Sequence, residues 1–283
     1  MATFTNKATL SFNGGSVDSN TVTGTFLETL SVTKTALTEE YTLGSRITYV
    51  ISLVNSGSTP FVGLTLTDDL GGYPFGGATV YPLDYEEGSL VYFVDGIQQP
   101  TPAVLSEQPL TLGGIAVPAG GNAILVYVTE INAYAPLDAA GTVVNTVTVS
   151  GGGLPEDLVA SETVETSDTP VLSITKTLSP TSVPENGTVT YGFLVENRGN
   201  TDAVATDNLV ISDVFDPILD ITSVTLNGLL LTEGTDYTYD ETTGAFATLP
   251  GVITVPAATF TQGADGVYTV DPGEAVLTVV GTI

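Results

Sequence analysis

The 283-residue chain carries 32 Asp and Glu against only five Lys and Arg, a net charge of −27, and has no His, Cys or Trp. These absences exclude Ser–His and Cys–His nucleophiles, thiolate and imidazole metal sites and disulfide frameworks. Phosphate binding needs clustered cations, so nucleic acid is excluded as a partner. A hydrophobic content of 42% still supports real cores, and the length suits two domains.

The first residues, MATFTNKATLSFNGG, lack the apolar core of a secretory leader, and no run of about 18 apolar residues follows anywhere, so no membrane span is expected. The acidic loops, Asp68-Asp69 and Asp236 among them, lack EF-hand spacing, so neither a metal nor a cofactor is expected. Residues 1–26 contain two short alternating stretches around a Gly14-Gly15 turn, a β-hairpin signal. A short linker then leads to Leu30-Ser31-Val32-Thr33-Lys34-Thr35, the first of many strand-like stretches bounded by Gly, Pro, Asn or Asp.

The chain repeats itself. Residues 19–55 align without a gap with residues 161–197, and the clearest block sets Leu30-Ser31-Val32-Thr33-Lys34-Thr35 against Leu172-Ser173-Ile174-Thr175-Lys176-Thr177. Leu64-Thr65-Leu66-Thr67-Asp68 matches Leu209-Val210-Ile211-Ser212-Asp213. The expected fold is all-β: two tandem Ig-like antiparallel β-sandwich domains, residues 27–168 and 169–283, preceded by an N-terminal donor hairpin at residues 1–26.

The repeats finish differently. The first continues into Val143–Ser150 and Leu158–Thr166, a closing hairpin, whereas the second stops at Ile283 without one. The counterpart stands at the amino end, where Asn6-Lys7-Ala8-Thr9-Leu10-Ser11 resembles Asn145-Thr146-Val147-Thr148-Val149-Ser150. The second domain is therefore expected to be incomplete and to take the hairpin of the next subunit. Docking would bury Ala8, Leu10, Phe12, Val17 and Val22, with each large side chain contributing roughly 1.5–3 kcal/mol before ordering costs. About seven linker residues reach at most roughly 25 Å, so self-closure is not expected and a head-to-tail homopolymer is. The rival reading makes residues 1–25 an ordinary strand pair of the first domain.

The pattern L-S-V-T-K-T, then T-Y-V-I-S-L-V-N-S-G, L-T-L-T-D-D-L and V-N-T-V-T-V-S, resembles the conserved-repeat domain of bacterial and archaeal cell-surface proteins, also catalogued as domain of unknown function eleven. The resemblance covers both repeats and implies an Ig-like sandwich in an extracellular stalk or fibre, a cell or spore surface appendage.

Strand alternation places Lys34 on the face of Leu30 and Val32, Lys176 on that of Leu172 and Ile174, and Asp68 and Asp213 with their apolar neighbours. Asn145 shares a face with Val147 and Val149, and Asn6 with Ala8, Leu10 and Phe12. Two of the three lysines thus point inward at equivalent positions, where an ammonium is costly unless paired. Lys, Asn and an acid together suggest spontaneous isopeptide formation, as in the pilin and adhesin Ig-like domains that the sequence resembles. The sets are Lys34, Asp68 and Asn145 within the chain, and Lys176, Asp213 and Asn6 of a neighbouring subunit, with each Asp as proton shuttle. The rival is a buried Lys–Asp ion pair with Asn hydrogen-bonded nearby; Asn55 and Asn197 are rival partners in turn-like settings. Multiple-turnover catalysis is not expected, since the amidation would be single-turnover self-modification. The alternative function is a stalk or adhesin repeat of a larger surface protein, with Tyr73-Pro74-Phe75 and Tyr81 to Tyr92 as its one candidate aromatic surface.

Overall fold

The computed structural model describes residues 3–25 and 29–283. Met1, Ala2 and Phe26 of the expected hairpin segment, and Leu27 and Glu28 of the linker, lie outside the described residues. Among the described residues the regular elements are strands, apart from one short 3₁₀ turn at Ala205–Asp207. This follows from a sequence of alternating β-branched, aromatic and hydroxyl residues punctuated by Gly and Pro. The fold is all-β. No helix among the described residues is long and apolar enough to cross a membrane. The chain divides into two compact units, Met1–Pro136 with Gly141–Glu165 and Leu137–Ala140 with Thr166–Ile283.

Unit 1 begins with an arm of four strands: β1 (Thr3–Asn6), β2 (Thr9–Phe12), β3 (Gly15–Asp18) and β4 (Val22–Thr25). β1 pairs with β4 and β2 with β3, forming one ribbon turned at Asn13-Gly14. Cross-strand partners share a face, and the pairs Leu10↔Val17, Phe12↔Gly15, Asn6↔Val22 and Phe4↔Gly24 gather the apolar residues on one side. The register shifts by one residue between Thr9↔Asp18 and Asn6↔Val22, and this extra residue on the returning strand keeps Val17 and Val22 on the same side. The opposite side is polar, with Lys7 bonded to Asp18 at 2.6 Å and the Thr9 hydroxyl to Asp18 at 2.7 Å. Phe4 lies over Gly24, where any side chain would collide with its ring. The apolar side faces solvent: Leu10 is 69% exposed and Phe12 59%.

The rest of unit 1 contains β5 (Leu30–Ala36), β6 (Glu40–Tyr41), β7 (Arg46–Asn55), β8 (Phe61–Asp68), β9 (Tyr73–Phe75), β10 (Ala78–Val80), β11 (Leu83–Tyr85), β12 (Val91–Val94), β13 (Ile97–Gln99), β14 (Ala103–Glu107), β15 (Leu110–Val117), β16 (Asn122–Ile131), β17 (Thr142–Gly151) and β18 (Leu158–Thr166). One sheet runs β13-β12-β16-β7-β5 and the other β14-β15-β8-β17-β18-β6, with the strands antiparallel throughout the first sheet and from β14 to β18 in the second. Inward residues alternate along each strand, so Tyr49, Ile51 and Leu53 of one sheet and Leu64, Leu66, Val147 and Val149 of the other are fully buried.

Unit 2 contains β19 (Leu172–Ser179), β20 (Thr188–Asn197), β21 (Ser212–Val214), β22 (Asp220–Leu226), β23 (Leu229–Leu230), β24 (Tyr237–Asp240), β25 (Ala245–Thr248), β26 (Thr259–Gln262), β27 (Tyr268–Asp271) and β28 (Gly273–Thr282). Its sheets run β19-β20-β28-β22-β23 and β21-β25-β24 around a core that includes Phe193, Val195, Phe215, Phe246 and Leu277. The lysine strands pair alike in the two units, Lys34 opposite Ile51 and Lys176 opposite Phe193. The second sheets differ. β8 is flanked by β15 and β17, whereas β21 pairs with β25 alone among the described strands. β19 is consequently exposed along its whole length: Leu172 is 39% exposed where Leu30 is 4%.

Candidate cross-linking site and open groove

In unit 1, three strands converge on one buried point. β5 supplies Lys34, the last residue of β8 supplies Asp68, and β17 supplies Asn145. Asp68 pairs with Val147, so Asn145 is the next inward residue on the adjacent strand. Lys34 is 4% exposed, and Asp68 and Asn145 are completely buried. The Lys34 ammonium forms an ion pair with Asp68 and sits 4.7 Å from the ring centroid of Tyr49. Asp68 also accepts a hydrogen bond from the Tyr127 hydroxyl and one from the Leu70 backbone N–H at 3.0 Å.

The Asn145 carboxamide faces the Tyr49 and Tyr127 hydroxyls. Neither its Nδ2 nor its Oδ1 completes a hydrogen bond, however, and the Tyr49 hydroxyl is likewise without a partner. A buried polar group left in this state costs about 1–3 kcal/mol, so the arrangement calls for a cause. Burial pushes the Lys34 ammonium below its ordinary 10.5, even against the pull of Asp68. Burial first, and the Asp68 charge second, push Tyr127 well up. Burial likewise raises Tyr49, whose phenol keeps its proton. A lysine eased toward the neutral amine is thus paired with a carboxyl group, and the phenols that touch this pair, Tyr49 and Tyr127, are the ones that the unbonded Asn145 carboxamide faces; amine, carboxamide and acid are the reactants and proton carrier that amide exchange requires.

Unit 2 holds two of the three groups. Lys176 is ion-paired with Asp213 and lies 4.7 Å from the ring centroid of Tyr191, 5.6 Å from Phe193 and 5.5 Å from Phe215. The Lys176 side chain is 43% exposed, and it opens into a groove between β19 and β21. Two adjoining clefts form this groove. One, about 190 Å³, is lined by Leu172, Ile174, Val195, Leu209, Ile211 and Ile253. The other, about 350 Å³, is lined by Ile174, Lys176, Phe193, Ile211 and Asp213. Tyr191 pairs with Val279 where Tyr49 pairs with Tyr127, so Asp213 has no phenol donor of that kind.

Asn6, Ala8, Leu10, Phe12 and Val22 all lie on the exposed arm, whose strands pair only with one another among the described strands. Asn55 and Asn197 are structural. Asn55 Nδ2 donates to the Thr59 and Pro118 carbonyls while its Oδ1 accepts from Gly57 N–H, and Asn197 Nδ2 donates to the Thr201 carbonyl while its Oδ1 accepts from the Gly199 and Val171 N–H groups. The sequence pattern did not reveal Tyr49 and Tyr127 as neighbours of the lysine, nor Phe4 on the arm. Tyr49 carried a signal, since Thr48-Tyr49 repeats as Thr190-Tyr191. Tyr81 lies in a separate cleft of about 380 Å³ in unit 1, with Thr79, Asp84, Gln108, Asn132 and Tyr134.

No family model matches the chain, and no curated protein matches it. Among solved structures it is similar to the major pilin subunit of Bacillus cereus, at 12% identity over 96% of this chain and 73% of the pilin, with a TM-score of 0.36. It is also similar to the pilus backbone protein RrgB of Streptococcus pneumoniae, at 10% identity over 90% of this chain, with a TM-score of 0.35; the chain spans 50% of that protein's length. The collagen-binding domain of a Staphylococcus aureus adhesin overlaps 50% of this chain and 99% of its own, at 15% identity and a TM-score of 0.32. Likenesses this weak carry no argument about function, which rests on the residues of the chain itself.

Proposed function

We propose that the chain is a structural subunit of an extracellular filament, assembled head to tail as the arm of one copy enters the groove of unit 2 in the next. One observation carries the reading. The arm exposes an apolar side with Asn6 on it, and the groove exposes an apolar floor ending at Lys176 and Asp213, where unit 1 fills the equivalent place with the Asn145 strand. Two strands alone are marginal in water, and an unpaired strand edge is a template for pairing, so each feature is stabilised by the other. Strand addition of this kind draws affinity from the backbone and specificity from alternate side chains.

Isopeptide bonds would fix both the fold and the junction. In unit 1 the Lys34 Nζ attacks Cγ of Asn145, and the Nζ–Cγ bond forms as the Cγ–Nδ2 bond breaks. Asp68 carries the proton from Nζ to Nδ2, and ammonia leaves. No oxidant or cofactor is needed. Lys176, Asp213 and Asn6 of the entering arm would repeat the step between subunits. The Tyr81 cleft favours the second reading, a stalk or adhesin segment that binds a ligand.

The test is assembly of the intact chain against a chain lacking residues 3–25. Electron microscopy should show fibres from the first and monomers from the second; fibres from the truncated chain would refute the proposal. Boiled fibres should run as a ladder on denaturing gels, and the ladder should vanish in Asn6→Ala and Lys176→Ala.

A further inference from the structure

The lysine strands of the two units pair alike and the Leu64–Asp68 segment recurs as Leu209–Asp213, so the unit 1 pairing can be carried onto the groove, provided that the arm enters it by strand donation as proposed above. β17 lies beside β8 with Val147 opposite Asp68, Val149 opposite Leu66 and Gly151 opposite Leu64. Leu64–Asp68 corresponds to Leu209–Asp213, and Asn145–Ser150 to Asn6–Ser11. We infer that the groove admits the arm in a single register, with Ala8 opposite Asp213, Leu10 opposite Ile211 and Phe12 opposite Leu209. The acceptor therefore selects a strand of the form Asn-x-apolar-x-apolar-x-apolar, whose Asn lies one inward position beyond the residue facing the acid.

Side-chain size and polarity fix the register. The smallest inward residue, Ala8, falls where the Lys176 amine and the rings of Tyr191, Phe193 and Phe215 crowd together. Leu10 falls over Ile174 and Ile211, between the two clefts. Phe12 takes the place of Gly151, and the cleft at Leu172, Leu209 and Ile253 supplies the room that its ring needs. A slip of one residue would turn Lys7, Thr9 and Ser11 inward against the apolar floor. A slip of two would put either Ala8 or Phe4 in the position meant for Asn6 and carry the Asn6 carboxamide away from Lys176.

The chain has no cysteine, so disulfide trapping reads the register directly. Full-length Ser11→Cys and full-length Val210→Cys are mixed under mild oxidation, and assembly is followed by electron microscopy. Both positions are exposed, and Val210 lines both clefts of the groove. This pair should give about tenfold more linked heterodimer than Thr9→Cys with Val210→Cys, whose Cα atoms would lie beyond the roughly 7 Å reach of a disulfide. Fibres in which the Thr9 pair links preferentially would overturn the register and leave strand donation standing. Fibres in which neither pair links would overturn it as well, and would point to another occupant of the groove, such as a segment following Ile283. Loss of both fibres and links in chains that remain folded by circular dichroism would overturn strand donation along with the register.

Discussion

Lys34 sits where an ammonium is expensive, and its surroundings offset that cost only in part. Asp68 pairs with it and Tyr49 lies against it, yet burial still drives it toward the neutral amine. Breaking such a pair by removing one partner costs about 3–5 kcal/mol, so Asp68→Ala should lower the thermal midpoint of unit 1 markedly and also leave its mass unreduced. The Asn145→Ala variant isolates the lysine. With no acyl partner Lys34 stays titratable, and its folded value lies below its unfolded value. The unfolded state then binds more protons between those values, so stability should rise with pH up to about 10.5. Denaturant unfolding of Asn145→Ala should show that slope, and a wild-type unit joined by the proposed bond should lack it. By mass spectrometry, wild type should be lighter than its sequence by one ammonia for each bond, and Asn145→Ala should carry one bond fewer.

At the scale of single strands, the same few residues behave in opposite ways. Leu30–Thr35 and Leu172–Thr177 are nearly the same peptide, but the first is roofed by β17 and the second is bare. Alternation and the repeated block were enough to place both lysines inward. The degree of burial was not legible, because it depends on what lies across the sandwich and not on the strand itself. Tyr127 was hidden for a related reason: it reaches Asp68 through a pairing distant in sequence, and its repeat counterpart is Val279. The short β9–β10 hairpin of unit 1 was equally unreadable as a strand pair, since three residues a side leave too little alternation. On the arm, the side holding Leu10 and Phe12 was legible, whereas Phe4 required the Gly24 pairing to be seen. A charge on that side should abolish docking without disturbing the two sandwiches. Leu10→Asp is therefore expected to remain folded by circular dichroism but monomeric by light scattering, while Thr9→Asp on the polar side should still assemble.

As a whole molecule, each copy in the filament proposed above would be both donor and acceptor through unlike surfaces, so a growing filament would be polar. One end would present a vacant groove and the other an unclaimed arm. A synthetic peptide of residues 3–25 should occupy vacant grooves and shorten filaments in proportion to its excess, a change measurable in micrographs. The same peptide with Asn6 replaced by Ala should compete only reversibly. The placement of Lys34 on β5 and Asn145 on β17 has a mechanical consequence. These are the first strand of the sandwich and the next to last, so once they are joined, tension entering near Leu30 and leaving near Thr166 passes from one to the other through a covalent bridge. The loops and strands between them would be spared the load, and a pulled fibre would stretch at its short connectors while its sandwiches held.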